Sequence, residues 1–149
     1  MSYIIGDGNM YKKILVPTDG SDFAKDAQLH ALFLAKVSGA EIIALSVSEN
    51  HFINGISVSE EIEQINQILE DRCKKDLQEF DDMNDEGVKI SSVIKEGSPA
   101  KTILEVAEEE DIDLIVIGSS GKSGFDRFIL GSVSDKVVNA AKCPVLVVH

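Results

Sequence analysis

Residues 112–134, Ile-Asp-Leu-Ile-Val-Ile-Gly-Ser-Ser-Gly-Lys-Ser-Gly-Phe-Asp-Arg-Phe-Ile-Leu-Gly-Ser-Val-Ser, hold the residues best suited to phosphate chemistry. A β-branched apolar run, Leu114 to Ile117, stops at Gly118. Glycines recur at Gly121 and Gly131, and Ser132-Val133-Ser134 begins a helical pattern. Strand, glycine loop and helix N-terminus together form the arrangement that holds phosphate in open α/β sheets, because N–H groups and the positive end of the helix dipole converge there. A glycine at 118 leaves room for a ligand that a side chain would block, and Gly121 permits a loop with positive φ. Gly131 and Ser132 offer N–H groups and a hydroxyl. Lys122 and Arg127 are candidate phosphate cations.

Two familiar phosphate motifs fail here. A P-loop needs a glycine five residues before Gly121, where this chain has Val116. The dinucleotide fingerprint needs its first two glycines two apart, whereas Gly118 and Gly121 are three apart. The pattern present is Gly118-x2-Gly121-x9-Gly131-Ser132.

The elements that must position this loop read clearly. Residues 1–11 show no period and form an N-terminal arm; residues 12–149 form one domain. Ile14-Leu15-Val16 suits a central parallel strand that Pro17 ends, followed by the tight loop Thr18-Asp19-Gly20-Ser21. A helix runs to residue 38, stopped by Gly39. Ile42 to Val47 is the second strand. Ser57 with Glu60 resembles a capping box, and Val58, Ile62, Ile65, Leu69, Cys73, Leu77 and Phe80 make one stripe, predicting a helix over about 58–83 that packs on the sheet. Val88 to Lys95 is the third strand. Ser98 and Pro99 open the next helix, and Leu114 to Ile117 is the fourth strand. The helix 132–141 turns Val133, Val137, Val138 and Ala141 inward, and 144–148 is the fifth strand. Strict alternation predicts an α/β fold, a doubly wound sheet of five parallel strands with four helices in strand order 3-2-1-4-5.

Composition bounds the chemistry. The chain has 149 residues, 44% hydrophobic and 27% charged, which suits one globular domain. A net charge of −12 argues against nucleic acid as a partner. No apolar run reaches the ~18 residues of a membrane span, and the first 30 residues lack a signal-peptide pattern. The expectation is a cytoplasmic protein without a membrane partner. Cys73 and Cys143 fit no metal spacing and read as buried free thiols.

At Lys12-Lys13-Ile14-Leu15-Val16-Pro17-Thr18-Asp19-Gly20-Ser21, Ile115-Val116-Ile117-Gly118, Leu130-Gly131-Ser132-Val133-Ser134 and Cys143-Pro144-Val145-Leu146-Val147-Val148, the sequence resembles the universal stress protein family, in its ATP-binding branch. The resemblance implies a Rossmann-like, adenine-nucleotide-binding domain. It implies that Pro17, Thr18, Asp19 and Val47 border adenine and ribose, and that Ser132 and Ser134 contact phosphates within a cradle of Gly118, Ser119, Gly121, Lys122, Arg127, Gly131 and Val133. Asp19 would meet the ribose or help hold a Mg²⁺ ion brought by ATP. Many members have a basic or aromatic residue between the first two glycines, where this chain has Ser119-Ser120.

The resemblance further implies a homodimer through strand 144–148 and a stress-response switch, in which ATP closes residues 119–130 and changes a surface read by a protein partner. No catalytic base or His-paired nucleophile is evident. The alternatives are a slow Mg²⁺-dependent ATP hydrolase or phosphotransferase, and a dimeric adaptor that needs no nucleotide.

Overall fold

A computed structural model describes residues 10–49, 59–85, 87–120 and 130–149. Its elements are β1 (Lys13–Pro17), α1 (Asp22–Ser38), β2 (Glu41–Ser48), α2 (Glu60–Asp82), β3 (Ile90–Glu96), α3 (Pro99–Glu109), β4 (Leu114–Gly118), α4 (Ser132–Ala140) and β5 (Val145–Val148). All strand pairs are parallel, in the order β3-β2-β1-β4-β5. The alternation and the strand order read from the sequence are both present.

The apolar runs of the strands are explained by burial on two faces. Ile14, Val16, Ile42, Ala44, Leu114 and Val116 pack with Ala27, Ala31, Leu32 and Ala35 of α1 and Leu77 and Phe80 of α2. Leu15, Ile43, Leu45, Ile115 and Ile117 face the other way, toward Ala100, Ile103 and Val106 of α3 and Val137 of α4. The winding direction reverses after β3, so the chain diverges on either side of β1. Ligands of open α/β sheets bind at the carboxyl ends of the strands at such a switch point.

Several local expectations change. Pro17 does not end the ladder toward β2: it pairs with Leu45, and the Thr18 N–H donates to the Leu45 carbonyl at 2.8 Å. Toward β4 the register stops at Leu15. Successive N–H groups point to opposite edges of a strand, so the missing proline N–H opens the β1–β4 side alone.

The α2 stripe packs only in part. Cys73, Leu77 and Phe80 are buried, Ile62 and Leu69 are half-buried and Ile65 is exposed; Val58 lies outside the described residues. The 23-residue helix is ~34 Å long at 1.5 Å per residue, whereas the eight residues of β2 span ~26 Å. The first turns of α2 therefore overhang the sheet. The cap of α2 is Ser59, whose Oγ accepts from the Ile62 N–H, placing Glu60, Glu61 and Glu63 in the first turn, where the dipole favours acid. Ser57 lies outside the described residues.

β3 starts at Ile90 rather than Val88, because Asn84 bonds both backbone groups of Val88 (Nδ2 to the carbonyl at 2.6 Å, Oδ1 from the N–H at 3.2 Å). On α4, Val137 is buried but Val138 is exposed. Of the two free cysteines, Cys73 is buried and Cys143 only half-buried. Burial still pushes the Cys143 thiol above its ordinary pKa, which keeps it protonated at neutral pH. Among the described residues, no helix is long and apolar enough to cross a membrane.

Candidate functional site

The two loops that flank the switch point are built differently. After β1, Thr18 is buried, and its Oγ1 accepts from the buried Gln28 Nε2 at 2.7 Å. Asp19 Oδ1 accepts the Ser21 N–H at 2.9 Å, and Ser21 Oγ accepts the Ala24 N–H at 3.2 Å. This pair turns the chain into α1 and caps it. Gly20 between them has φ 75°, and a Cβ there would strike the Asp76 carboxylate of α2. The positive φ is what favours glycine here, since the Asp76 side chain can swing aside.

After β4, Gly118 is required for a reason other than ligand access. A Cβ on Gly118 would lie 2.8 Å from the backbone carbon and oxygen of Phe23, in the first turn of α1. The Ser119 N–H donates to the Val148 carbonyl at 2.8 Å, and the Gly131 N–H donates to the Ser119 carbonyl at 2.7 Å. These bonds hold together the two ends of the intervening segment. The Gly131 N–H is consequently spent within the fold and is not offered to a ligand. Ser134, buried, donates from Oγ to the Gly118 carbonyl at 2.6 Å, fastening the first turn of α4 to the end of β4.

The N-cap of α4 is Gly131, which has no side chain, and among the described residues no side chain caps this helix. The first N–H groups of a helix lack intrahelical partners. Those of Ser132, Val133 and Ser134 stand at the positive end of the helix dipole, an arrangement suited to an anion.

These features open onto one crevice of ≈ 440 Å³, within the ~300–1,000 Å³ usual for small-molecule sites. Of the residues expected from the sequence, Pro17, Thr18, Asp19, Val47, Gly118, Gly131, Ser132, Val133 and Ser134 line it. Ser119 is buried behind it and contributes backbone bonds. Gly121, Lys122 and Arg127 lie outside the described residues. Leu45, Val47, Ile103 and Ile117 supply apolar wall, while the uncapped end of α4 supplies donors. Among the described residues, Arg72 is the only Lys or Arg lining the crevice, with Asp19, Glu49 and Asp76 as its acids. No described group of three or more His, Cys, Asp or Glu is placed to hold a metal ion.

The contribution of α2 escaped sequence reasoning. Leu69, Arg72, Cys73 and Asp76 all line the crevice, and they recur at intervals of three, one and three, which is a single helix face. That mixed polar and apolar face was the available signal. It was masked by reading Leu69 and Cys73 as part of a core stripe.

The universal stress protein family model matches residues 10–149. The chain belongs to the universal stress protein family. It is 42% identical over 150 residues to universal stress protein MJ0531 of Methanocaldococcus jannaschii, covering 99% of this chain and 88% of that protein. The solved structure of MJ0577 superposes with a TM-score of 0.82 at 35% identity, covering 93% of this chain and 96% of that one. A universal stress protein solved in complex with cAMP superposes with a TM-score of 0.74 at 27% identity, covering 95% and 99%. The family model begins at residue 10, so residues 1–9 lie outside the match.

Proposed function

We propose that this universal stress protein binds ATP in the β1–β4 crevice and acts as a nucleotide-dependent regulatory switch in the stress response. The observation that carries the reading is the uncapped α4 N-terminus beside an apolar wall. A phosphate chain fits the Ser132–Ser134 N–H groups, with Arg72 as an added cation, and a flat base fits between Pro17 and Val47. A relative solved with cAMP supports an adenine nucleotide as the class of ligand.

The donor set fits Mg²⁺ only as a companion of the phosphates. This ion keeps several waters and takes one or two carboxylates beside phosphate oxygens. Asp19 supplies one carboxylate, already oriented by the Ser21 N–H, and bound Mg²⁺ would neutralise phosphate charge there. Asp19, Glu49 and Asp76 are the carboxylates of the crevice, and a slow Mg²⁺-dependent hydrolase is the second reading, separated from the first by turnover. Among the described residues β5 lies at the sheet edge with β4 as its one partner strand, which suits pairing with a second copy.

Titration calorimetry tests the reading. ATP should bind more tightly than adenosine, since the phosphates meet the α4 terminus. No ATP binding up to about 1 mM, a free energy of only ~4 kcal/mol, would overturn it. Steady turnover of Mg²⁺-ATP in the same preparation would favour the hydrolase. A monomer by light scattering would remove the β5 pairing.

A further inference from the structure

The outer face of α1 carries an apolar stripe that the core does not use. Leu29, Phe33 and Val37 are 55%, 65% and 64% exposed and recur every four residues, one above another on a helix. They lie opposite Ala27, Ala31 and Ala35, which pack on the sheet. Three apolar side chains in one exposed row make a contiguous patch rather than scattered surface residues, and such patches are often functional.

The chain itself supplies a fitting occupant. Residues 1–9, Met-Ser-Tyr-Ile-Ile-Gly-Asp-Gly-Asn, contain the apolar triplet Tyr3-Ile4-Ile5, followed in sequence by Gly6-Asp7-Gly8-Asn9. This segment joins the body beside the end of the stripe. The Lys12 carbonyl accepts the Glu41 N–H at 3.0 Å, and Glu41 is two residues past Gly39, which caps α1 just beyond Val37. Tyr11 packs on the same core cluster as the inner face of α1, and Met10 is 69% exposed.

Length is sufficient. Nine extended residues reach ~30 Å, whereas Val37 to Leu29 spans ~12 Å along the helix. The stripe alone offers roughly 300 Å², well short of the ~800 Å² per partner of a stable interface. A tethered segment needs less area, since its effective concentration is in the millimolar range.

We propose that residues 1–9 dock in cis along the outer face of α1, seating Tyr3, Ile4 and Ile5 on Leu29, Phe33 and Val37. The chain contains no tryptophan, so Tyr3→Trp in the full-length protein is a clean reporter. Its fluorescence should be blue-shifted and independent of protein concentration. Phe33→Asp and Val37→Asp, both at exposed positions, should each shift it to the red, while Lys101→Asp on α3 should not. Circular dichroism confirms that each variant is folded. Emission typical of solvated tryptophan, or a blue shift untouched by both stripe variants, would overturn the proposal. So would a blue shift that develops only with rising protein concentration, which would assign the stripe to a second copy.

Discussion

Two helices, α1 and α4, begin at the same crevice, and their first turns are finished in opposite ways. α1 is closed by its own residues. Asp19 takes the Ser21 N–H, Ser21 takes the Ala24 N–H, and Asp22 places acid in the first turn. α4 starts at a glycine with no side-chain cap. Both ends carry the same partial positive charge, so the contrast is one of capping: side chains finish the first turn of α1, whereas the N-cap of α4 has none to offer, and the proposed phosphate site rests on that difference. Gly118 is where the two meet, since it lies against Phe23 in the first turn of α1 and receives Ser134 from the first turn of α4.

The severest way to break the contrast is to force the two ends apart. Gly118→Val would drive side-chain carbons into the Phe23 backbone. Overpacking of this kind costs about 3 kcal/mol, and urea denaturation should show the midpoint falling accordingly. If stability is unchanged, the spacing between the helices is not set at Gly118.

Converting α4 to the α1 pattern sharpens the contrast. Gly131→Asp adds a cap, which should leave the fold as stable or raise stability by a few tenths of a kcal/mol. The same carboxylate competes with phosphate for the Ser132–Ser134 donors, so ATP affinity should fall at least tenfold, about 1.4 kcal/mol, by calorimetry. Loss of affinity together with loss of stability would instead indicate a damaged fold.

The reciprocal change, Ser21→Ala, removes the α1 cap and should cost about 1 kcal/mol of stability in thermal or urea unfolding. ATP affinity should change less than twofold, because this terminus is not the phosphate site. A larger binding loss would mean that both helix ends serve the ligand.

The smallest effect lies at the opposite end of the sheet and serves as a control. Lys89 Nζ sits 2.9 Å from Glu41 Oε2, and that hydrogen bond holds the Glu41 carboxyl below its usual pKa. A depressed carboxylate pKa stabilises the fold above the ordinary carboxylate range, and the contribution is lost as pH falls through the folded value. Lys89→Ala should raise the Glu41 pKa toward that range, read by carboxyl NMR titration, and leave ATP binding unaltered.

Much of this architecture was legible before the structure. Strands buried on both faces must be continuous apolar runs, so Ile14–Val16 and Leu114–Ile117 declare themselves. Gly39 marked the end of α1, with φ 75°. The resemblance pointed to Pro17, Thr18, Asp19 and Val47, and all four line the crevice with Gly131–Ser134. The two misreadings of α2 share a cause. The α2 pattern recorded helical period but not where the helix outruns the sheet, so Ile65 was assigned to the core and the Arg72–Asp76 face went unread.

The local chain alone determined the alternation of strands and helices, the turn at Thr18–Ser21 and the helix start at Gly131, because these depend on side-chain period and backbone conformation within a few residues. Tertiary structure alone decided which polar groups remain for a ligand. Only the folded chain shows that the Gly131 N–H goes to Ser119, the Ser134 hydroxyl to Gly118 and the Thr18 hydroxyl to Gln28. It also brings Arg72 and Asp76 to the crevice, each more than forty residues in sequence from both the Thr18–Ser21 turn and Gly118. The physical reason is that a hydrogen-bonding group is free or spent according to what stands within about 3 Å of it, and those neighbours come from distant parts of the chain.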